Sequence, residues 1–134
     1  MDWLYLIGRV LFGLIFVGSG LGHFMRLPGM AHYAGAKGVP VAKVTVAISG
    51  IMLFAGGLSV ILGVYMEIGI WLLIFFLVAA AFMMHDFWTV TDPAQKMVEQ
   101  AMFMKNLSMA GAALLLYYMI RVYGYGPLTL GEAM

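Results

Sequence analysis

The chain has 134 residues, of which 64% are hydrophobic and 10% charged, and its mean hydropathy is +1.01. Soluble domains carry about 25% charged residues, so this composition excludes a water-soluble fold; the length fits one domain. A net charge of +1 with no basic block speaks against a nucleic-acid partner, and the absence of Cys excludes disulfides, thiolate metal ligands and thiol chemistry of the chain's own.

Four apolar blocks follow in chain order, separated by polar interruptions. A membrane-spanning helix needs roughly 20 apolar residues, about 17 at the short end. The pattern predicts helices over about 3–24, 42–63, 67–85 and 94–121. In lipid each segment must close its own backbone hydrogen bonds, so the expected fold is all-α: an integral membrane four-helix bundle forming a single transmembrane domain.

The first block is broken only by Arg9. It starts with Asp2 rather than a basic cluster and no A-x-A site follows, which reads as a retained helix rather than a signal peptide. The link after it holds Pro28, Gly29, Gly35, Gly38 and Pro40, the composition of a structured loop or interfacial segment. The second and third blocks are joined by Gly63–Glu67 alone, which forces an antiparallel hairpin. The third link runs from His85 to Pro93. Asp92-Pro93-Ala94-Gln95 then gives an acidic cap, Pro at the first helical position and Gln three residues after the cap. Small residues four apart, Gly18 with Gly22, Ser59 with Gly63 and Ser108 with Ala112, mark expected helix contacts. The 13 Met residues suit gap filling rather than metal binding.

Four crossings put both termini and the Gly63–Glu67 turn at one membrane face. This terminal face holds Asp2, Arg9, Glu67, Arg121 and Glu132. Arg26, Lys37, Lys43 and Lys96 lie at the opposite, loop face, so the positive-inside rule places loops 25–41 and 86–93 in the cytoplasm. Ionisable residues within spans are functional candidates. Arg9, Glu67 and Arg121 share a depth, and an Arg9–Glu67 pair closing the helix ends is the structural expectation. Lys105 either snorkels to the interface or faces the bundle.

At the loop face His23 ends the first helix, His85 and Asp86 end the third, and Lys105 and Asn106 open the buried part of the fourth, beside Trp88. Imidazole, ammonium and carboxamide groups donate hydrogen bonds to a carbonyl or an anion, and an aromatic ring stacks on a flat head group. The set suits a quinone, a lipid head group or a small acid; an interfacial polar and aromatic belt is the plainer alternative. The His residues are scattered and no metal motif occurs, so no metal is expected.

Arg9, Gly18 and His23, then Gly38-Val39-Pro40, Ala55-Gly56-Gly57-Leu58 with Gly63, His85-Asp86-Phe87-Trp88 and Met104-Lys105-Asn106-Leu107 together resemble the DoxX family of small four-helix membrane proteins over nearly the whole chain. The resemblance implies a four-helix bundle and a redox association in a bacterial or archaeal inner or plasma membrane: one branch is similar to a subunit of an archaeal thiosulfate:quinone oxidoreductase, another is linked to complexes for thiol and oxidative stress. Many relatives carry an acid before the Gly-Gly pair; here Ser49–Phe54 has none. The chain shows no self-contained catalytic motif. The functional expectation is a redox-associated subunit binding quinone or a similar apolar molecule. The alternatives are a non-catalytic scaffold or partner subunit in a homo-oligomer or larger complex and, more weakly, a small-molecule transporter.

Overall fold

The computed structural model describes residues 1–131; Glu132 lies outside the described residues. The elements in order are α1 (Asp2–Met25), α2 (Leu27–Ala36), α3 (Ala42–Leu62), α4 (Met66–Met84), a 3-10 turn (Phe87–Thr89) and α5 (Pro93–Tyr123). α1, α3, α4 and α5 are long and apolar enough to span a membrane. No strand forms among the described residues, so the fold is an all-α bundle. The first link is not a loop but the short helix α2, started by Pro28 in its first turn. At 31 residues α5 is about 46 Å long, half again the hydrocarbon thickness, so its first turns, with Lys96 and Glu99, stand in the interface. They start where Asp92 accepts the Gln95 amide at 3.0 Å.

The helices pack in the chain order α1 on α3, α3 on α4 and α4 on α5, with α2 against α3. Their buried faces share one rhythm. On α1 the row is Arg9, Gly13, Phe16, Gly20 and His23; on α3, Val46, Gly50, Leu53, Gly57 and Val60; on α5, Phe103, Asn106, Ala110 and Ala113, with Gly22, Gly56 and Ile120 buried besides. Steps of four and three repeat every seven residues, the period of left-handed packing. Phe16, Leu53, Val60, Ile70, Leu73 and Leu77 form the middle of the core.

The glycines in this rhythm bring backbones together. A Cβ at Gly20 would lie 2.7 Å from the Gly50 carbonyl oxygen, and one at Gly13 2.8 Å from that of Gly57. Gly56 meets Gly69 between α3 and α4 in the same way, 2.9 Å from its carbonyl. The spacing-of-four expectation fails for two of its three pairs. Gly18, Ser108 and Ala112 are exposed, because a contact that follows the seven-residue period passes through Gly13 and Gly20 instead. Gly22 faces the side chain of Arg26, not another helix. Gly63 ends α3 in the left-handed region, φ 70°, where its amide reaches the Ser59 carbonyl at 2.9 Å.

After α5 the chain folds back over the terminal end of the bundle. The Leu130 and Gly131 amides donate to the Leu62 and Gly63 carbonyls at 3.0 and 3.1 Å, so two carbonyls at the end of α3 find partners. This arrangement corrects the expected Arg9–Glu67 pair. Arg9, 2% exposed, faces α3 beneath this segment, donates to the Leu128 carbonyl and lies 4.9 Å from the centre of the Tyr5 ring. Glu67 opens α4 on the side of α5, where it meets Arg121 at 3.3 Å.

Replacing Gly20 with Ala forces a methyl group into backbone that cannot move aside cheaply, at a cost on the order of 1–3 kcal/mol. Gly18→Ala, with nothing within 4 Å of the new carbon, gains helix propensity of up to about 1 kcal/mol. Thermal unfolding in detergent should therefore show Gly20→Ala melting well below the parent and Gly18→Ala at or above it; equal midpoints would refute the seven-residue seam.

Candidate functional site at the loop face

A cavity of about 940 Å³ lies towards the loop face, lined by α1, α2, α3, α4 and α5. Its size falls in the range of small-molecule sites. Most of the wall is apolar, including Phe16, Leu53, Phe76, Leu77 and Met109. His23, Arg26, His85, Lys105 and Asn106 supply its strongly polar groups. A smaller hollow of about 520 Å³ on the outer face, beside Trp71 and Phe75, has Glu67 as its one ionisable group.

His23 arrives by the packing rhythm of α1, at the end of the row that contains Gly13 and Gly20. It is 6% exposed, and its Nδ1 is 2.7 Å from the Ser19 carbonyl oxygen. A carbonyl only accepts, so Nδ1 carries the proton in this contact and Nε2 is the nitrogen left for another partner. The ring stands edge-on to Phe76, 5.9 Å between centres.

Asn106 holds the matching position on α5. It is also 6% exposed, and among the described residues its carboxamide makes no side-chain hydrogen bond. An amide held among packed apolar side chains without a partner costs about 1–3 kcal/mol. Its opening onto the cavity is the physical reason it can stand here. Lys105, next along the helix, turns outward at the cavity edge with Nζ 3.4 Å from the Met102 sulfur.

His85 follows the last residue of α4 and lines the cavity. Its Nδ1 is 2.8 Å from Glu99 Oε2, which ties α4 to α5 and sets the ring's orientation. Asp86 and Trp88, expected to belong with these groups, do not line the cavity. Asp86 accepts from Lys37 at 2.7 Å and from the Thr89 hydroxyl at 3.0 Å, so it fastens the end of α2 to the 3-10 turn. Trp88 packs with Phe82, Phe87 and Phe103 in an aromatic cluster, its ring centre 5.4–6.2 Å from theirs. The polar wall residues absent from the expectation are Ser19, Arg26, Tyr33, Thr45 and Ser49. Arg26 was findable, three residues after His23; Tyr33 comes from the link that folds as a helix. No group of three potential metal ligands gathers among the described residues.

The bundle defines a small integral membrane protein with one large cavity under its loop face. The chain belongs to the DoxX family, whose model matches residues 4–86. The match ends at Asp86 and so covers less of the chain than the resemblance suggested, leaving Lys105 and Asn106 beyond it. Two relatives of Escherichia coli K12 extend further. Inner membrane protein YphA is 31% identical over 115 residues, covering 84% of this chain and 80% of its own length. Inner membrane protein YqjF is 30% identical over 111 residues, covering 83% and 79%. No solved structure matches.

The Lys37–Asp86 contact gives a pH test. Lys37 lies outside the spans, and its hydrogen bond to Asp86 holds it above the ordinary lysine range. Its contribution is full below the unfolded lysine pKa and disappears as pH rises through its higher folded value. Protection of α2 amides in hydrogen exchange, corrected for intrinsic rate, should be flat up to about pH 9 and fall above it. In Asp86→Asn it should be lower throughout, with the alkaline step gone. An alkaline step retained in Asp86→Asn would assign it to another group.

Proposed function

We propose that this chain is a redox-associated inner-membrane subunit that binds a quinone, or a similar apolar carbonyl compound, in the loop-face cavity. The observation that carries the reading is Asn106: a buried carboxamide with no side-chain hydrogen bond among the described residues, at the wall of an apolar space. Its N–H donates to a ligand carbonyl, and Lys105 at the edge adds a charge-assisted donor. His23 offers Nε2 as a second polar contact. His85, its ring held by Glu99, exchanges a proton with the ligand. A quinone supplies the electron-carrying chemistry when bound; the chain's residues orient it, exclude water and move the proton. The inner-membrane setting is supported by the two relatives, both named as inner membrane proteins.

A partner-subunit reading has its own observation. Gly18, Ser108 and Ala112 lie exposed, and small outward residues let a neighbouring helix approach closely. Extraction in mild detergent, with mass spectrometry of the small molecules and proteins that remain bound, separates the two. Retained quinone supports the cavity reading and a retained respiratory subunit the partner reading.

Asn106→Leu tests the assignment directly. It removes the donor without changing the volume much, so binding of 2-methyl-1,4-naphthoquinone should weaken about tenfold. The thermal midpoint should rise, because an amide with no side-chain partner is replaced by an apolar group. Unchanged affinity would sink the role given to Asn106.

A further inference from the structure

The charges around the cavity are one-sided. Its wall contains two permanent cations, Arg26 and Lys105, and not one Asp or Glu. Two acids stand behind the wall and are already paired: Asp86 with Lys37 at 2.7 Å, and Glu99 with the wall residue His85 at 2.8 Å. Neither Arg26 nor Lys105 has a carboxylate within ion-pair distance among the described residues. Arg26 also does not simply reach away from the bundle. Its guanidinium lies back along α1, where a Cβ at Gly22 would be 3.0 Å from Nη2. The cation thus lies against the last turn of α1, at Gly22.

Two permanent cations at the edge of an apolar space, without local counter-charge, favour a ligand that brings the negative charge itself. The interaction is stronger here than in open water because the surroundings on one side are hydrocarbon. The buried Asn106 and His23 supply further hydrogen-bonding groups in the wall. We propose that the cavity selects an amphiphilic acid: an apolar body seated against Phe16, Phe76 and Met109, and a carboxylate or phosphate head held between Arg26 and Lys105. The inference rests on the reading of this cavity as a ligand site and adds to it the charge class of the ligand. A carbonyl-bearing ring with an acidic substituent satisfies both.

A matched pair of probes tests it on the full chain in a neutral detergent. One is a 2-methyl-1,4-naphthoquinone bearing a propionic acid side chain at the 3-position; the other is its methyl ester, equal in shape but uncharged. The acid should bind about tenfold more tightly than the ester, and the advantage should shrink as salt is raised. Arg26→Gln should remove most of the advantage while leaving ester affinity unchanged, which also shows that the variant folds; Lys105→Gln should remove most of the advantage as well and, because Lys105 also donates to the ring carbonyl, weaken the ester by a smaller factor. Equal binding of acid and ester overturns the charge selection and leaves the cavity as a ligand site. An acid preference that both variants retain places the head elsewhere and overturns the proposal. Binding of neither probe removes the ligand-site reading itself, and this inference with it.

Discussion

The backbone of α1 meets that of α3 at two points, Gly20 on Gly50 and Gly13 on Gly57, close enough that a Cβ at Gly20 or Gly13 would fall within 2.7–2.8 Å of a carbonyl oxygen. Lipid gives little reward for bringing apolar surfaces together, so helix association depends on such close packing. Both pairs are seven residues apart along each helix. That period fixes which face of α1 turns inward, and with it two residues of other character, Arg9 at one end of the row and His23 at the other. The contact that holds the bundle together therefore also sets a buried cation at the terminal end and an imidazole at the loop end.

The two ends are then resolved differently. At the terminal end Arg9 is closed in by the returning segment: Leu128 accepts from it, Tyr5 lies across it, and Leu130 and Gly131 fasten that segment to the last carbonyls of α3. Desolvating a guanidinium is costly, and the chain that covers it satisfies it only in part: among the described residues Arg9 Nε and Nη1 and the Tyr5 hydroxyl are buried without a hydrogen-bond partner. At the loop end the buried polar groups face a hollow rather than packed chain. His23 and Asn106, each 6% exposed, border a cavity of about 940 Å³, while the Lys37–Asp86 and His85–Glu99 contacts pin the surrounding elements in place. The terminal end encloses its cation within the chain, and the loop end turns its polar groups towards open space.

The four spans were legible because hydrocarbon imposes a length and a composition that few other folds share, and Asp92-Pro93-Ala94-Gln95 marked the start of α5 through local chemistry alone. The convergence of His23, His85, Lys105 and Asn106 was legible too, since each ends or begins a span on the same face. What was missed depended on rotation about the helix axes. Counting small residues at a spacing of four selected Gly18, Ser108 and Ala112, which face outward; a spacing of seven would have found Gly13 with Gly20 and Gly50 with Gly57. The same ambiguity paired Arg9 with Glu67, which share a depth but not a direction. Asp86 and Trp88 were placed at the right height and left out of the cavity because the 3-10 turn carries them outward, to Lys37 and to the aromatic cluster. The helix α2, too short and too rich in Gly and Pro to announce itself, concealed the wall that Tyr33 provides.

The division of labour along the chain follows from this geometry. The part that matches the family model, residues 4–86, contains the whole glycine seam and supplies His23, Arg26 and His85 to the cavity. The groups beyond it, Lys105, Asn106 and Met109, come from α5, which joins the bundle through α4 and through the Glu99–His85 and Arg121–Glu67 contacts rather than through any glycine of the seam. Changing a side chain on this face of α5 alters the cavity wall without touching the backbone contacts that hold α1 to α3. A scaffold that depends on glycine and a wall that depends on polar side chains are separable physical requirements. The residue that best marks the site, Asn106, stands on the separable part.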